Sequence, residues 1–208
     1  SNIIHEIGHV LGLHHPHEGT HRLPTALDFR NYTQMSYQKK AAEAFFNGEY
    51  LISSTLMVYD IAAIQYLYGA AEYNEDNTSY KYNRNQPFVE AIWDSGGYDT
   101  LDLTGFTKAC NISLIPGSYS TIVCSNWTME DNLGIAQGAF LEKVIAGNGN
   151  DTITGNSKDN HLIGNSGRDI INGGDGNDTI EGGSGNDVLT GGLGADQFIF
   201  YTGDNQDI

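Results

Sequence analysis

Basic side chains are scarce in this chain: 10 lysines and arginines stand against 26 aspartates and glutamates in 208 residues, a formal charge of -16. That balance argues against a nucleic-acid partner, which needs a concentrated positive surface. Cysteine is nearly absent as well, and the spacing of Cys110 and Cys124 excludes a C-x-x-C metal site. No apolar run is long enough to cross a bilayer as a helix, and the opening residues carry no signal-peptide pattern. What the chain has instead is histidine crowded at one end, and glycine and aspartate in regular register at the other.

Residues His5-Glu6-Ile7-Gly8-His9-Val10-Leu11-Gly12-Leu13-His14-His15 fit the pattern H-E-x-x-H-x-x-G-x-x-H. Residues four apart share a helical face, so His5 and His9 can aim their imidazoles at one zinc ion. Glu6 falls about 100° round the helix, beside the ion. There it suits a general base acting on a zinc-bound water better than a ligand. Gly12 can take the left-handed conformation that ends a helix, which reverses the chain so that His15 completes a three-histidine site, and Pro16 keeps the helix from resuming. The fourth position stays open, as a catalytic zinc site requires. His14 is the alternative third ligand, although only His15 fits the spacing, while His17 and His21 read as solvated loop residues. The competing interpretations are a surface helix that happens to be rich in histidine, and a decayed site that keeps the pattern without the activity.

The wording of this motif resembles the metzincin peptidases, and within them the serralysin branch. Gln34-Met35-Ser36-Tyr37 is similar to the serralysin form of the metzincin Met-turn. The resemblance implies that Met35 is a hydrophobic floor below the histidines, and that Tyr37 is a switchable extra zinc ligand that also stabilises the tetrahedral intermediate. The segment between His15 and Met35 is shorter than in serralysins, a departure that bears on the loop shaping the primed side of the cleft. Residues Tyr59 to Gly69 resemble the helix that closes the serralysin catalytic domain. Their own pattern predicts a helix, with Asp60 near its start, Ile61, Ile64 and Tyr68 on one stripe, and Gly69 as its stop.

At the other end, residues 146 to 199 repeat with a period of nine in the pattern G-G-x-G-x-D-x-U-x, where U is apolar. Asp151, Asp169, Asp178, Asp187 and Asp196 keep the register, Asn160 stands in the missing place, and the apolar members are Ile153, Leu162, Ile171, Ile180, Leu189 and Phe198. The pattern is identified as the RTX repeat. The resemblance implies a parallel β-roll in which two repeats make one winding, repeat n stacks on repeat n+2, and calcium sits between turns stacked on the same side. Asp151, Asp169 and Asp187 then belong to one edge, and Asn160, Asp178 and Asp196 to the other. Gly147, Gly149, Gly167, Gly174, Gly176, Gly183, Gly185, Gly192 and Gly194 join the aspartates as calcium-site residues, because calcium prefers hard oxygen ligands and glycine lets carbonyls approach. Neutral Asn160, with Lys158 where glycine is expected, should weaken the first site on the second edge. The alternative is a disordered linker rich in glycine, asparagine and aspartate, the state expected without calcium.

Between the two motifs, alternating runs such as Thr100-Leu101-Asp102-Leu103 and Ser120-Thr121-Ile122-Val123 predict β-structure. Trp93-Asp94-Ser95-Gly96-Gly97-Tyr98-Asp99-Thr100 resembles a serralysin segment that supplies further calcium ligands. This carries over to Asp94, Gly96, Gly97 and Asp99, with Glu142 as a contributor. A solvated Asp-Gly turn is the alternative. Cys110 and Cys124 are equidistant from Gly117, so a hairpin turning at Pro116-Gly117-Ser118 would set them opposite each other, either bridged or as free buried thiols.

These readings converge on an α+β chain: the C-terminal half of a metzincin catalytic domain over residues 1–75, a β-rich connection over 76–145, and an all-β calcium roll over 146–208. The expected function is that of a secreted, extracellular zinc endopeptidase holding one zinc and several calcium ions. By the resemblance, protein or peptide substrates, a proteinaceous inhibitor and type I secretion machinery are the expected partners. The chain opens four residues before His5, so the N-terminal half of such a catalytic domain is expected elsewhere, and an inactive chain is one expectation that follows. The second hypothesis is a calcium-binding module with an incomplete protease site. A third is a partner-binding scaffold, since such repeats also occur in adhesins and toxins.

Overall fold

Strands of two to six residues carry most of the regular secondary structure among the described residues, because the glycine-rich turns leave only short runs for a ladder to use. The computed structural model describes residues 2–20, 22–38, 45–46, 49–51, 53–127, 129–201 and 207–208. Helix α1 (Asn2–Val10) is followed by a 3-10 turn (Thr25–Leu27), the antiparallel pair β1 (Phe45–Phe46) and β2 (Glu49–Tyr50), and helix α2 (Val58–Tyr68). The strands that follow are β3 (Ser79–Lys81), β4 (Glu90–Ile92), β5 (Thr100–Asp102), β6 (Asn111–Ser113), β7 (Tyr119–Ser120), β8 (Leu133–Ile135), β9 (Lys143–Ile145), β10 (Thr152–Thr154), β11 (His161–Ile163), β12 (Ile170–Asp175), β13 (Thr179–Glu181), β14 (Val188–Leu193) and β15 (Gln197–Ile199). No helix among the described residues is long and apolar enough to cross a membrane.

Helix α1 stops where Gly12 turns left-handed at φ 92°. The Leu13 N–H then reaches back to Gly8 O at 2.9 Å and the Gly12 N–H to His9 O at 3.0 Å, the paired bonds of a Schellman motif. Helix α2 starts with the Asp60 carboxylate accepting the Met57 N–H at 2.9 Å, and it ends at Gly69. Its stripe is narrower than its sequence pattern predicts. Ile61 packs on the core, but Tyr68 is 67% exposed and donates its hydroxyl to Leu11 O at 3.1 Å.

Two parallel sheets build the second half, ordered β15-β13-β11-β9-β5-β3 and β14-β12-β10-β6. Repeats alternate between them, so Ile153 pairs with Ile171 and then Leu189 in one sheet, while Leu162 pairs with Ile180 and then Phe198 in the other. Of these apolar members of the nine-residue pattern, Ile153, Leu162, Ile171 and Ile180 are buried between the sheets and Leu189 packs against them, while Phe198, at the end of the stack, is exposed. At about 25 cal/mol per Å² of apolar area, each fully buried Ile or Leu contributes roughly 2 kcal/mol before entropy is counted. The ladder continues without a break into β9, β5 and β3 on one side and β6 on the other, so strands of the 76–145 segment are further rungs of the same stack. A third sheet, β4-β8-β7, carries α2: Met57, Val58, Val89 and Ala91 form a small core with Ile61 and Tyr119.

Asn111 pairs with Thr121, so the residue opposite Cys110 is Ile122 and not Cys124. Both thiols are free and buried, and burial pushes each up to about 11.

Candidate metal centre

The turn of α1 brings three ring nitrogens together. His15 Nε2 lies 3.1 Å from His9 Nε2 and 3.3 Å from His5 Nε2. On the far side of each ring, Nδ1 faces an oxygen: Gln34 O at 2.7 Å for His5, Leu13 O at 2.9 Å for His9, and Glu18 Oε1 at 3.0 Å for His15. An Nδ1–H donated by His5 and by His9 to these carbonyls, with His15 Nδ1 in ion-pair contact with Glu18, leaves the three Nε2 lone pairs facing one point, where they repel unless a cation lies among them. The donor set therefore fits zinc. His14 is exposed and stands outside this group, and His21 lies outside the described residues.

Met35 is 2% exposed and lies under α1, so close to Gly8 that a side chain there would collide with its sulfur. Tyr37 is half exposed, its ring centroid 4.6 Å from that of His15 and 5.2 Å from that of His5. Glu6 is exposed on α1. A cleft of about 720 Å³ runs beside His15, lined by Leu13, Pro16, Leu23, Tyr59, Ala63 and Leu67 among others.

Two supporting residues were not singled out from the sequence. Asp60, 2% exposed, accepts the Gln34 N–H at 2.7 Å and the Thr33 hydroxyl, and so fixes the backbone of the residue whose carbonyl holds His5. Burial pushes its carboxyl up from the ordinary range, against the hydrogen bonds from Thr33, Gln34 and Met57. Glu18 is held below the ordinary range by its hydrogen bond to His15. A carboxylate three residues after the third histidine was a visible signal for that role. Nothing local marked Asp60 for its contact with Gln34.

Along the roll the aspartates form two ladders. The N–H of Asp151 donates to Asp169 Oδ1 at 2.7 Å, that of Asp169 to Asp187 at 2.8 Å, and that of Asp187 to Asp207 at 3.0 Å. On the other edge the N–H of Asn160 donates to Asp178 at 2.7 Å and that of Asp178 to Asp196 at 3.0 Å. One oxygen of each acceptor is thus spent between rungs. The second oxygen of Asp169, Asp178 and Asp207 is buried with no hydrogen-bond partner. Burial first, then the charges of Asp151 and Asp187, push Asp169 up to about 7. A hard cation would satisfy these oxygens, which is the chemistry of calcium. Gly147, Gly149, Gly167, Gly174, Gly176, Gly183, Gly185, Gly192 and Gly194 each lie against a carbonyl of the rung below, leaving no room for a Cβ. Outside the zinc-motif region, no three Asp, Glu, His or Cys side chains among the described residues gather donor atoms within 4.8 Å, so a cation there would draw on those carbonyls.

Asp207 follows Asp187 by twenty residues where its fellows are spaced by eighteen, so the period of nine could not reveal it. Asn160 differs from Asp169 and Asp178 in being satisfied. Its Oδ1 accepts the Asn156 N–H at 2.7 Å and its Nδ2 reaches Leu141 O and Glu142 O, each at 3.4 Å.

Asp94, Asp99 and Glu142 form a further acidic group. Asp94 accepts the Tyr80 hydroxyl at 2.6 Å and the Gly96 N–H at 3.2 Å; Asp99 accepts the Thr78 N–H at 2.7 Å and donates its own N–H to Glu142 at 2.8 Å. Gly97, at φ 114°, lies against Asp76 O. Burial, with Asp94 and Glu142 adding to it, pushes Asp99 up to about 6, and its Oδ2 is buried without a partner.

The family model described as Peptidase M10 serralysin C terminal matches residues 59–207. Serralysin of Proteus mirabilis is 41% identical over 182 residues, covering 77% of this chain and 36% of its own length. The metalloprotease AprA of Pseudomonas entomophila is 40% identical over 185 residues, covering 77% and 37%, and serralysin G of Dickeya chrysanthemi 35% over 183 residues, covering 78% and 37%. The chain spans little more than a third of the length of these relatives. With a match that runs from α2 to the last rung of the roll, the chain belongs to the serralysin family of M10 peptidases.

Proposed function

We propose that this chain is the zinc-bearing and calcium-bearing part of a secreted metalloendopeptidase that cleaves protein substrates. The convergence of three Nε2 atoms, with Nδ1 of each ring facing an oxygen, is the observation that carries the reading. His5, His9 and His15 would hold one zinc ion, which supplies Lewis acidity to the carbonyl and to water. Glu6, next to His5, takes a proton from the attacking water and passes it to the leaving amine. The Tyr37 hydroxyl, carried by a ring packed on His5 and His15, supports the oxyanion. The cleft beside His15 receives a substrate side chain against Leu13, Leu23 and Tyr59.

In this reading residues 1–75 are the C-terminal half of a metzincin catalytic domain, which makes the whole α+β, 76–145 connect it to the roll, and 146–208 are the roll. Calcium binds the two aspartate ladders and the group of Asp94, Asp99 and Glu142, joined by carbonyls near Gly96 and Gly97. Type I secretion machinery and a proteinaceous inhibitor are the proposed partners of the longer protein. The test is metal content by plasma emission on the dialysed protein, followed by casein cleavage. About one zinc with several calciums is expected. Loss of at least about a hundredfold in cleavage is expected for Glu6→Ala, and cleavage that survives this substitution removes Glu6 from the mechanism.

A second reading, a calcium-binding module without activity, draws on the exposure of Ile3, Ile7 and Val10 beside Glu6, because a general base acts best where water is excluded. Calcium without zinc in the same measurement selects it.

A further inference from the structure

The peptide that holds His5 is itself anchored from the opposite side. Gln34 belongs to the buried run Asn31-Tyr32-Thr33-Gln34. Asn31 Nδ2 donates to Glu130 O at 2.9 Å, and the Tyr32 hydroxyl donates to Asp131 Oδ2 at 2.6 Å, both across 99 residues of sequence. The Tyr32 ring packs edge-on against Tyr119 with centroids 4.8 Å apart, and Tyr32 O faces the Tyr59 N–H and the Tyr119 hydroxyl, each at 3.3 Å.

Asp131 is in turn tied to the roll. It is left-handed at φ 48°, and its N–H donates to Thr121 Oγ1 at 3.0 Å. Thr121 exchanges two backbone hydrogen bonds with Asn111, at 2.8 and 2.9 Å. Asn111 opens β6, and the Cys110 N–H beside it donates to Asp151 Oδ1 at 2.7 Å. Asp151 begins the first aspartate ladder. Hydrogen bonds and adjoining backbone thus connect that ladder to His5 through Thr121, Asp131, Tyr32 and Gln34. The link between Tyr32 and Asp131 is short and charge-assisted, the strong kind.

We infer that Tyr32 and Asp131 are positioning residues that couple zinc affinity to calcium in the roll, an inference that rests on the zinc and calcium reading above. If the first rungs loosen, Thr121 and Asp131 lose their fixed place. The run from Asn31 to Gln34 then loses its hydrogen bonds to Glu130 and Asp131 and is left to Asp60, to the Tyr59 and Tyr119 contacts and to the Gln34 side chain on Ser53 and Thr55, so His5 is held less firmly at the angle the other histidines share. By linkage the coupling is reciprocal, so zinc tightens calcium as much as calcium tightens zinc.

The test measures zinc affinity of the whole chain by competition with a chromophoric chelator, in saturating calcium and in calcium-free buffer. The absorption of bound cobalt(II) serves as a second readout of ligand geometry. For the unsubstituted chain, removing calcium is expected to weaken zinc binding at least about fivefold. In saturating calcium, Tyr32→Phe and Asp131→Gly are each expected to weaken zinc by a similar factor, and to reduce the calcium dependence below about twofold. The double variant should be no worse than either single one. Asp131→Asn keeps an acceptor oxygen and suits a left-handed backbone, so it is expected to restore most of the coupling.

A merely structural role would lower the melting temperature of these variants and leave zinc affinity and the cobalt spectrum of the folded protein unchanged. That outcome overturns the inference, as does zinc affinity in the unsubstituted chain that ignores calcium. If the unsubstituted chain binds no zinc at all, the zinc reading falls too, which distinguishes the two failures. Should Tyr32→Phe fail to fold in calcium, the contrast between Asp131→Gly and Asp131→Asn decides the matter alone.

Discussion

Each histidine of the cluster is aimed by what lies behind it, so the residues behind should matter nearly as much as the ligands. Removing the outer partner of a ligating histidine costs about ten- to a hundredfold in metal affinity. Glu18→Ala is expected to weaken zinc by about tenfold, and Glu18→Gln, which keeps an acceptor without its charge, by less. Chelator competition measures both, and unchanged affinity would exclude Glu18 from orienting His15. Asp60 is supported by stronger logic because it is buried and accepts from two backbone amides. In Asp60→Ala those amides lose their acceptor, at roughly 1–3 kcal/mol each. Urea unfolding is expected to show a loss of at least about 2 kcal/mol. That the three histidines meet could be read from the sequence, because helix geometry fixes the spacing of His5 and His9 and Gly12 turns the chain back toward them. Asp60 could not, because its contact with Gln34 spans 26 residues and depends on how α2 docks.

At the scale of elements, the roll is a stack of rungs in which a single residue decides whether a turn is charged. The turn of Asn160 is closed by amide hydrogen bonds where its neighbours leave carboxylate oxygens unpaired. Asn160→Asp exchanges the amide for a carboxylate in a turn of the same shape. Isothermal titration is expected to find one more bound calcium than in the unsubstituted protein. An unchanged stoichiometry would mean that Lys158, whose ammonium lies 4.7 Å from the Phe140 ring, blocks the site by itself. Gly185 is the opposite case, a position that tolerates nothing larger. Its φ is 148° and a Cβ would run into Gly167 O, so Gly185→Ala should cost well over 1 kcal/mol in calcium-saturated unfolding. Strand positions in the roll were legible from the period of nine; over 76–145 the run at Thr100-Leu101-Asp102 was legible as a strand but not as a rung, since that segment joins the stack without repeating its pattern.

For the whole molecule the dominant fact is a charge of -16, with aspartates stacked in two ladders. Chelating calcium should unfold the roll, because the buried carboxylates then face one another without a cation. Circular dichroism follows the change, and an unaltered spectrum would count heavily against calcium in these turns. The pH dependence of the chelated protein has a definite sign. Asp169 is raised from 3.8 to about 7 and Asp99 to about 6, so between those limits the folded state binds more protons than the unfolded one. Stability without calcium is therefore greater at the acid end of that window and falls as pH rises through it. With calcium bound the order reverses, since protons compete with the ion for the same oxygens. Thermal unfolding at pH 5 and pH 8, with and without chelator, tests both arms. Chelated protein that is less stable at pH 5 than at pH 8 contradicts this account.

By itself the sequence determined what is local and periodic: a helix carrying two histidines four apart, a glycine that reverses the chain toward a third, and a repeat of nine residues with one apolar member in each. Those features follow from residue spacing, which any fold must respect. Only the tertiary structure decided which oxygen stands behind each histidine, that Asp207 extends a ladder two residues out of register, and that Tyr32 meets Asp131. These are contacts between residues distant along the chain, selected by packing and by the need of buried polar groups for partners, and no local pattern encodes them.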